Sequence, residues 1–317
     1  MRAPLLRTFA IVVGLYLVLA LVQQGWFSLR TPINLLNGGA VLGLAALGQT
    51  FVIATGGIDL SVGAAVGLTS TVVASAITAG VPAAVALPLG TLLGLAVGAL
   101  LGFAIWARGM PPFLVTLAAM LGMRGLAQLV HEGSFVIRDA DHARVQALGV
   151  PVVEGLVLAP SACVWLLASS CGAFFLARTR LGRDLLAIGG DAKAAILLGV
   201  SPCRALVLAY ALCGACAATA GAVFTLDTSA GNPNAALGLE LDAIAAAVIG
   251  GAALQGGSAS PLGTLLGVLL LGMIQTAITF DGRLGSGWTR IAVGGLLLAF
   301  VAAQRLGRVR SSAFQGR

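Results

Sequence analysis

The chain is made of apolar runs, each about as long as a bilayer is thick, punctuated by charges, prolines and small polar clusters. Breaking it at those points leaves candidate spans near residues 8–24, 33–55, 60–80, 83–106, 112–130, 156–177, 205–226, 239–255, 261–280 and 287–304. A transmembrane helix needs roughly 20 predominantly apolar residues. Of the 317 residues, 59% are hydrophobic and only 9% charged, against about 25% charged in a soluble domain. Such a chain has too few polar groups to cover its outside in water, so lipid is its solvent. The strands of a transmembrane barrel alternate apolar and polar residues, and no such alternation runs through this sequence. The expectation is an all-α membrane protein with about ten transmembrane helices, forming one domain over residues 1–317. The second and third stretches, parted by a short polar break, read as one interrupted element. Arg2 and Arg7 before the run Phe9 to Val22 resemble a signal peptide, but Gln23-Gln24-Gly25 is no small-residue cleavage site, and an uncleaved first helix is expected.

Charge sets the expected orientation. Cytoplasmic loops of membrane proteins carry an excess of lysine and arginine. Three places hold that excess here: Arg2 and Arg7; Arg178, Arg180, Arg183, Lys193 and Arg204; and Arg305, Arg308, Arg310 and Arg317. With all three inside, both termini are cytoplasmic and the loop 131–155 is outside. That loop sets Glu132, Asp139, Asp141 and Glu154 against Arg138 and Arg144. The net charge of +7 therefore reads as topology, and no nucleic-acid partner is expected. Trp26, Trp106 and Trp288 fall at span ends, where interfacial aromatics belong.

Few residues are suited to chemistry. Cys213-x-x-Cys216 has no second pair and no nearby histidine, so no zinc site is expected. With Cys163 and Cys171, these cysteines read as small buried hydrophobes. No Gly-x-x-x-x-Gly-Lys-Ser/Thr occurs, which excludes a P-loop on this chain. The histidines, His131 and His142, lie in the outer loop, away from any intramembrane serine. Neither a catalytic nor a metal site is expected, and no cofactor is bound by this chain.

Several residues interrupt the apolar pattern. In TGGIDLS, Gly56 and Gly57 free the backbone from helical geometry, and Asp59 or Ser61 is placed to cap the next helix. A buried carboxylate is costly unless paired or hydrated, so Asp59 is either a structural cap or a polar group facing a pore or a neighbouring subunit. A weaker likeness follows in VIGGAALQGG, Val248 to Gly257, as in transporters with repeated interrupted helices. Glu240 and Asp242 suit the first turn of a helix, or the mouth of a substrate path. Arg124 lies deep in an apolar run and must snorkel, line water or pair with an acid, Asp59 being one candidate. Gly90, Gly94, Gly98 and Gly102 recur every fourth residue as a ridge for close helix packing. The basic segment Thr179 to Pro202 has amphipathic stretches around Gly189-Gly190-Asp191, suited to the membrane surface or to a groove on a soluble partner.

The motifs also resemble a known family. GQTFVIATGGIDLSVGAAVGLTS (Gly48 to Ser70), PPFLVTLAAMLGMRG (Pro111 to Gly125), TRLGRDLLAIGGDAKAAILLGVS and ELDAIAAAVIGGAALQGGSASPLGTLLGV (from Glu240) are similar, in order, to the ribose-type sugar-import permeases of ATP-binding cassette (ABC) transporters. The last third, GMIQTAITFDGRLGSGWTRIAVG from Gly272, looks most like a permease of the galactofuranose importer. The resemblance implies a type II importer fold with two permease subunits forming the pore. It also implies two ATPase subunits beneath, where ATP is hydrolysed, and a periplasmic sugar-binding protein above. It places the ATPase-coupling region within 178–204, at Ala187, Ile188, Gly189, Gly190, Asp191, Ala194, Ala195 and Gly199, with Asp191 where the family often has Asn. The expected function is monosaccharide import across the bacterial inner membrane, with galactofuranose as the specific sugar. The alternative is a proton-coupled secondary transporter using Asp59 as its acid.

Overall fold

A computed structural model describes residues 2–23, 25–137, 150–153, 156–281, 287–288, 290–299 and 302. The expectations placed on Arg138, Asp139, Asp141, His142, Arg144 and Glu154, and on the basic C-terminal tail from Arg305, lie outside the described residues.

Each of the ten apolar stretches contains a helix. In chain order these are α1 (Arg2–Val22), α2 (Arg30–Ala54), α3 (Val62–Thr78), α4 (Ala83–Arg108), α5 (Pro112–Val130), α6 (Pro160–Arg178), α9 (Pro202–Thr228), α10 (Leu239–Ile249), α11 (Pro261–Asp281) and α12 (Arg290–Ala299). Two short helices, α7 (Arg180–Gly190) and α8 (Ala192–Leu197), fill the basic segment between α6 and α9. Seven described helices are long and apolar enough to cross a membrane, and α3, α10 and α12 are shorter. Ten full spans are therefore not established. The short α3 and α10 each adjoin a break, as interrupted elements do.

Local chemistry marks the ends. Proline opens α5, α6 and α9, where its missing N–H is no loss. Gly109 closes α4 in the left-handed conformation. The stretch expected as 239–255 stops being helical at Ile249, because Gly250 and Gly251 release the backbone and Pro261 starts the next helix.

Helix α9 runs through the centre, along α4 and against α2 and α3. The glycine ridge makes this possible. A Cβ on Gly94, Gly98 or Gly102 would collide with the α9 backbone at Gly214, Tyr210 and Leu206, and one on Gly90 would strike Val73 of α3. Gly43 of α2 leaves room in the same way for the buried indole of Trp165 on α6.

Short strands tie loops together. Strand β1 (Phe135–Val136) pairs antiparallel with β4 (Ala230–Gly231), and β2 (Val150–Val153) with β3 (Leu156–Leu158). The first pair joins the far ends of α5 and α9. Helix α1 lies along α11. It starts beside the end of α10, where Thr8 Oγ1 donates to Ile249 O, and it finishes where Gln23 Nε2 donates to Ala277 O at 3.1 Å.

Two readings of single residues are corrected. Trp26 is only 1% exposed, wedged between Tyr16 and Phe280, because the chain turns inward after α1. Trp106 and Trp288 are exposed. Of the cysteines, Cys213 is buried but Cys171 faces outward, which lipid tolerates in an apolar thiol. All five are unpaired.

Candidate functional site: two helix breaks and the helices that seat on them

Helix α2 ends in a Schellman cap. Gly57 N donates to Val52 O, Gly56 N donates to Ile53 O, and Gly56 takes φ +82°. Helix α10 ends the same way: Ala252 N donates to Ala247 O, Gly251 N to Val248 O, and Gly251 takes φ +97°. The likeness between the two sequences is thus a shared way of stopping a helix. The pattern recurs at Gly80 and Gly199, so it says nothing of duplication.

The chain between α2 and α3 is held by three helices and by a turn of its own. Gln49, buried in α2, donates from its amide to Asp59 O at 3.1 Å and accepts from Asp59 N at 3.2 Å. Thr116 of α5 accepts from Leu60 N at 3.1 Å. Tyr210 of α9 closes over Gly57, where an added Cβ would come within 2.6 Å of its hydroxyl. Asp59, 2% exposed, accepts from Ser61 N at 2.8 Å and from Ser61 Oγ, and the Cys213 thiol lies beside it. Of the two readings of Asp59, its bonds display a structural role, though as a turn ahead of α3 and not as a helix cap, since the N-cap residue Ser61 makes no side-chain cap hydrogen bond. Its carboxylate holds Ser61 at the start of α3.

The two breaks meet, and the basic segment seats on both. Gly257 N donates to Ala54 O at 3.1 Å. Gly189 packs so closely that a Cβ there would collide with Ala54 O and Gly257 N. Gly256 lies against Gly189 and Gly56, where its added Cβ would approach Gly189 O at 2.6 Å and Gly56 N at 2.8 Å. Three stretches of chain thus touch backbone to backbone with no side chain between them. Leu185, Ile188 and Ala195 bury the inner face of α7 and α8. Thr179 caps α7 by accepting from Gly182 N, and Asp191 caps α8 by accepting from Ala194 N at 3.0 Å. Asp191 therefore does the capping work that Asn would do. On the outer side, Ile196, Leu197 and Leu198 form an apolar tip, with Leu197 88% exposed. Within the expected coupling set, Ile188, Gly189 and Ala195 face the breaks, while Asp191, Ala194 and Gly199 are exposed.

Arg124 does not reach Asp59. Its guanidinium donates to Pro233 O at 3.0 Å, Ala235 O at 2.6 Å and Ala236 O at 3.2 Å, holding down the loop before α10. Ala236 in that loop has φ +58°, a region uncommon for a residue with a side chain. Glu240 lies against Gly63 and near Arg124, and its Oε2 is buried with no hydrogen-bond partner among the described residues. Glu240 and Asp242 both sit in the first turn of α10. Asp242 also lines a cavity of 490 Å3 formed by the N-terminal half of α2, the first turn of α10, the end of α9 and the C-terminal half of α11. That cavity lies at the opposite end of the bundle from α7 and α8.

Sequence reasoning picked out the break glycines, Asp59 and the basic segment. It missed Gln49, Thr116 and Tyr210, which sit in unbroken helices, and the tip Ile196 to Leu198, which reads as ordinary apolar sequence.

Residues 31–302 match the profile of the family described as branched-chain amino acid transport system / permease component. The chain is 42% identical over 303 residues to the inner membrane ABC transporter permease protein YjfF of Escherichia coli, covering 95% of this chain and 92% of that one. It is 37% identical to the ribose import permease protein RbsC of Bacillus subtilis, over 90% of this chain and 88% of that one. It is 31% identical to the fructose import permease protein FruG of Bifidobacterium longum, over 95% of this chain and 91% of that one. No solved structure matches the chain. Likeness at this level over nearly the whole length, joined to an all-helical membrane fold, places the chain in the family of sugar-import permeases of ABC transporters.

Proposed function

We propose that this chain is the permease subunit of an importer that passes a monosaccharide across the bacterial inner membrane, driven by a separate ATPase. The observation that carries this reading is the seating of α7 and α8. Their exposed tip is apolar, as a helix docked in a partner's groove would be, and their base contacts both helix breaks through glycine backbone. A push on the tip then has a direct backbone route, through Gly189, to the end of α2 and the turn after α10, beside the packed side chains of Leu185, Ile188 and Ala195. Arg7, Arg108, Arg178, Arg180, Arg183, Lys193 and Arg204 are exposed at or near this end, which supports a cytoplasmic face. The N-terminus then lies inside, the loop 131–155 outside, and the cavity beside Asp242 opens toward the side where a sugar-binding protein delivers. A second permease, identical or related, completes the pore.

A monosaccharide substrate rests on the relatives named for ribose and fructose. Galactofuranose rests only on the sequence resemblance in the last third, since none of the relatives above is named for it, and it follows ribose and fructose as a sugar to test. The decisive experiment is uptake into proteoliposomes holding the permease, its ATPase and its binding protein. Uptake should follow ATP and survive a protonophore. Uptake that collapses with the protonophore while ATP is held constant would instead favour the proton-coupled alternative. Asp59 is the acid that alternative would use, and its Oδ1 already accepts from Ser61 N and Oγ.

A further inference from the structure

The cavity beside Asp242 has the makings of a ligand site. Its 490 Å3 falls within the range of roughly 300–1,000 Å3 typical of small-molecule pockets. Besides Thr31 and Thr276, whose hydroxyls donate to backbone carbonyls, three polar side chains line it from three helices: Asn34 of α2, Asp242 of α10 and Gln275 of α11. None of the three forms a side-chain hydrogen bond to another described residue. Asn34 is exposed and Asp242 and Gln275 are part-exposed, so their polar atoms are open to the cavity and available to a ligand. Around them stand the rings of Trp26, Phe224 and Phe280, and the buried Trp26 Nε1 has no acceptor among the described residues.

The chemistry of the lining selects among ligands. Two amides and a carboxylate offer both donors and acceptors, which suits adjacent hydroxyls, while aromatic faces suit the C–H surface of a sugar ring. Glu240 and Arg290 both lie within electrostatic reach of Asp242, and Arg124 is near Glu240, so two acids stand with two arginines and the surroundings favour neither sign of ion. An acyl chain would find no use for the polar groups. It is better matched to the grooves between α3, α4 and α5 and between α1 and α11, whose walls are entirely apolar.

We infer that this cavity is a holding site for a neutral monosaccharide within the permease itself, entered from the end opposite α7 and α8. The inference rests on the importer reading and deepens it: the sugar pauses here between the binding protein and the inner half of the path.

The test is equilibrium binding of radiolabelled D-ribose and D-fructose to the purified permease–ATPase complex without the binding protein, with L-leucine as a control. The expected result is weak saturable binding of at least one sugar, none of L-leucine, and affinity reduced about tenfold or more by Asn34→Leu with Gln275→Leu. Asn34 is exposed, so Asn34→Ala alone serves if the double variant does not assemble, with a smaller loss expected. Absence of saturable sugar binding, binding unchanged in the variants, or a preference for L-leucine would overturn the inference. ATP-driven uptake by the parent importer, measured in parallel, separates the two claims. Uptake without a holding site leaves the importer reading standing and removes only this one.

Discussion

Single residues in this protein matter mostly through the space they leave or the backbone groups they hold. Gly189 is the clearest case, because a methyl group there must displace Ala54 O or Gly257 N. Overpacking of this kind costs about 1–3 kcal/mol. Gly189→Ala is expected to lower the thermal midpoint of the detergent-purified chain and to cut ATP-driven uptake more than its modest stability loss explains. Gly190→Ala, with only Gly257 Cα at 3.8 Å from the new methyl, should be near neutral in both assays. Asp59 is a second case. Asp59→Leu removes the acceptor for Ser61 N and Oγ, leaving buried donors unmet at about 1–3 kcal/mol. Asp59→Asn keeps an acceptor and should retain more transport. Equal uptake by parent, Asn and Leu variants would remove any role for the carboxylate. The glycines around Asp59 were legible in the sequence because few other residues serve a left-handed turn. Gln49 was not, because nothing in an unbroken helix marks which polar side chain will clamp a neighbour's backbone.

At the scale of elements, two pieces stand out for the way they are held. The first is the α7–α8 pair, capped at both starts and buried on one face only. Leu197→Asp places a charge at the centre of the exposed apolar tip while leaving the inner face untouched. It should abolish co-purification with the ATPase and uptake, yet leave the thermal midpoint of the isolated chain unchanged. The second is the loop 232–238, held by Arg124 through three carbonyls. Arg124→Lys keeps the charge but loses the forked geometry that reaches several acceptors at once. Proteolysis or hydrogen exchange should show that loop released, with protection of α7 unchanged. The pairing of Arg124 with this loop was invisible in sequence. The partners are 109–112 residues away and contribute backbone oxygens, which every residue has.

Over the whole molecule, the two breaks, the basic helices and the start of α1 gather at one end, and the cavity beside Asp242 opens at the other. That polarity predicts an accessibility pattern. In right-side-out vesicles, a membrane-impermeant thiol reagent should reach a cysteine placed at Asn34 and miss one placed at Lys193. Inverted vesicles should reverse the result. Labelling of position 193 from outside would turn the molecule over and end the importer reading with it.

What the sequence settled by itself was the solvent, the helical class and the position of the breaks. Those follow from local properties, namely run length, charge and the conformational range of glycine. It also placed the chain among sugar-import permeases, since the motifs stand in the right order. Tertiary structure alone decided that the two breaks touch, that Gly189 seats on both, that Arg124 serves a distant loop instead of Asp59, and that Asn34, Asp242 and Gln275 share one cavity. Such contacts arise when helices far apart in sequence pack side by side, and no local pattern records which neighbour each face will meet.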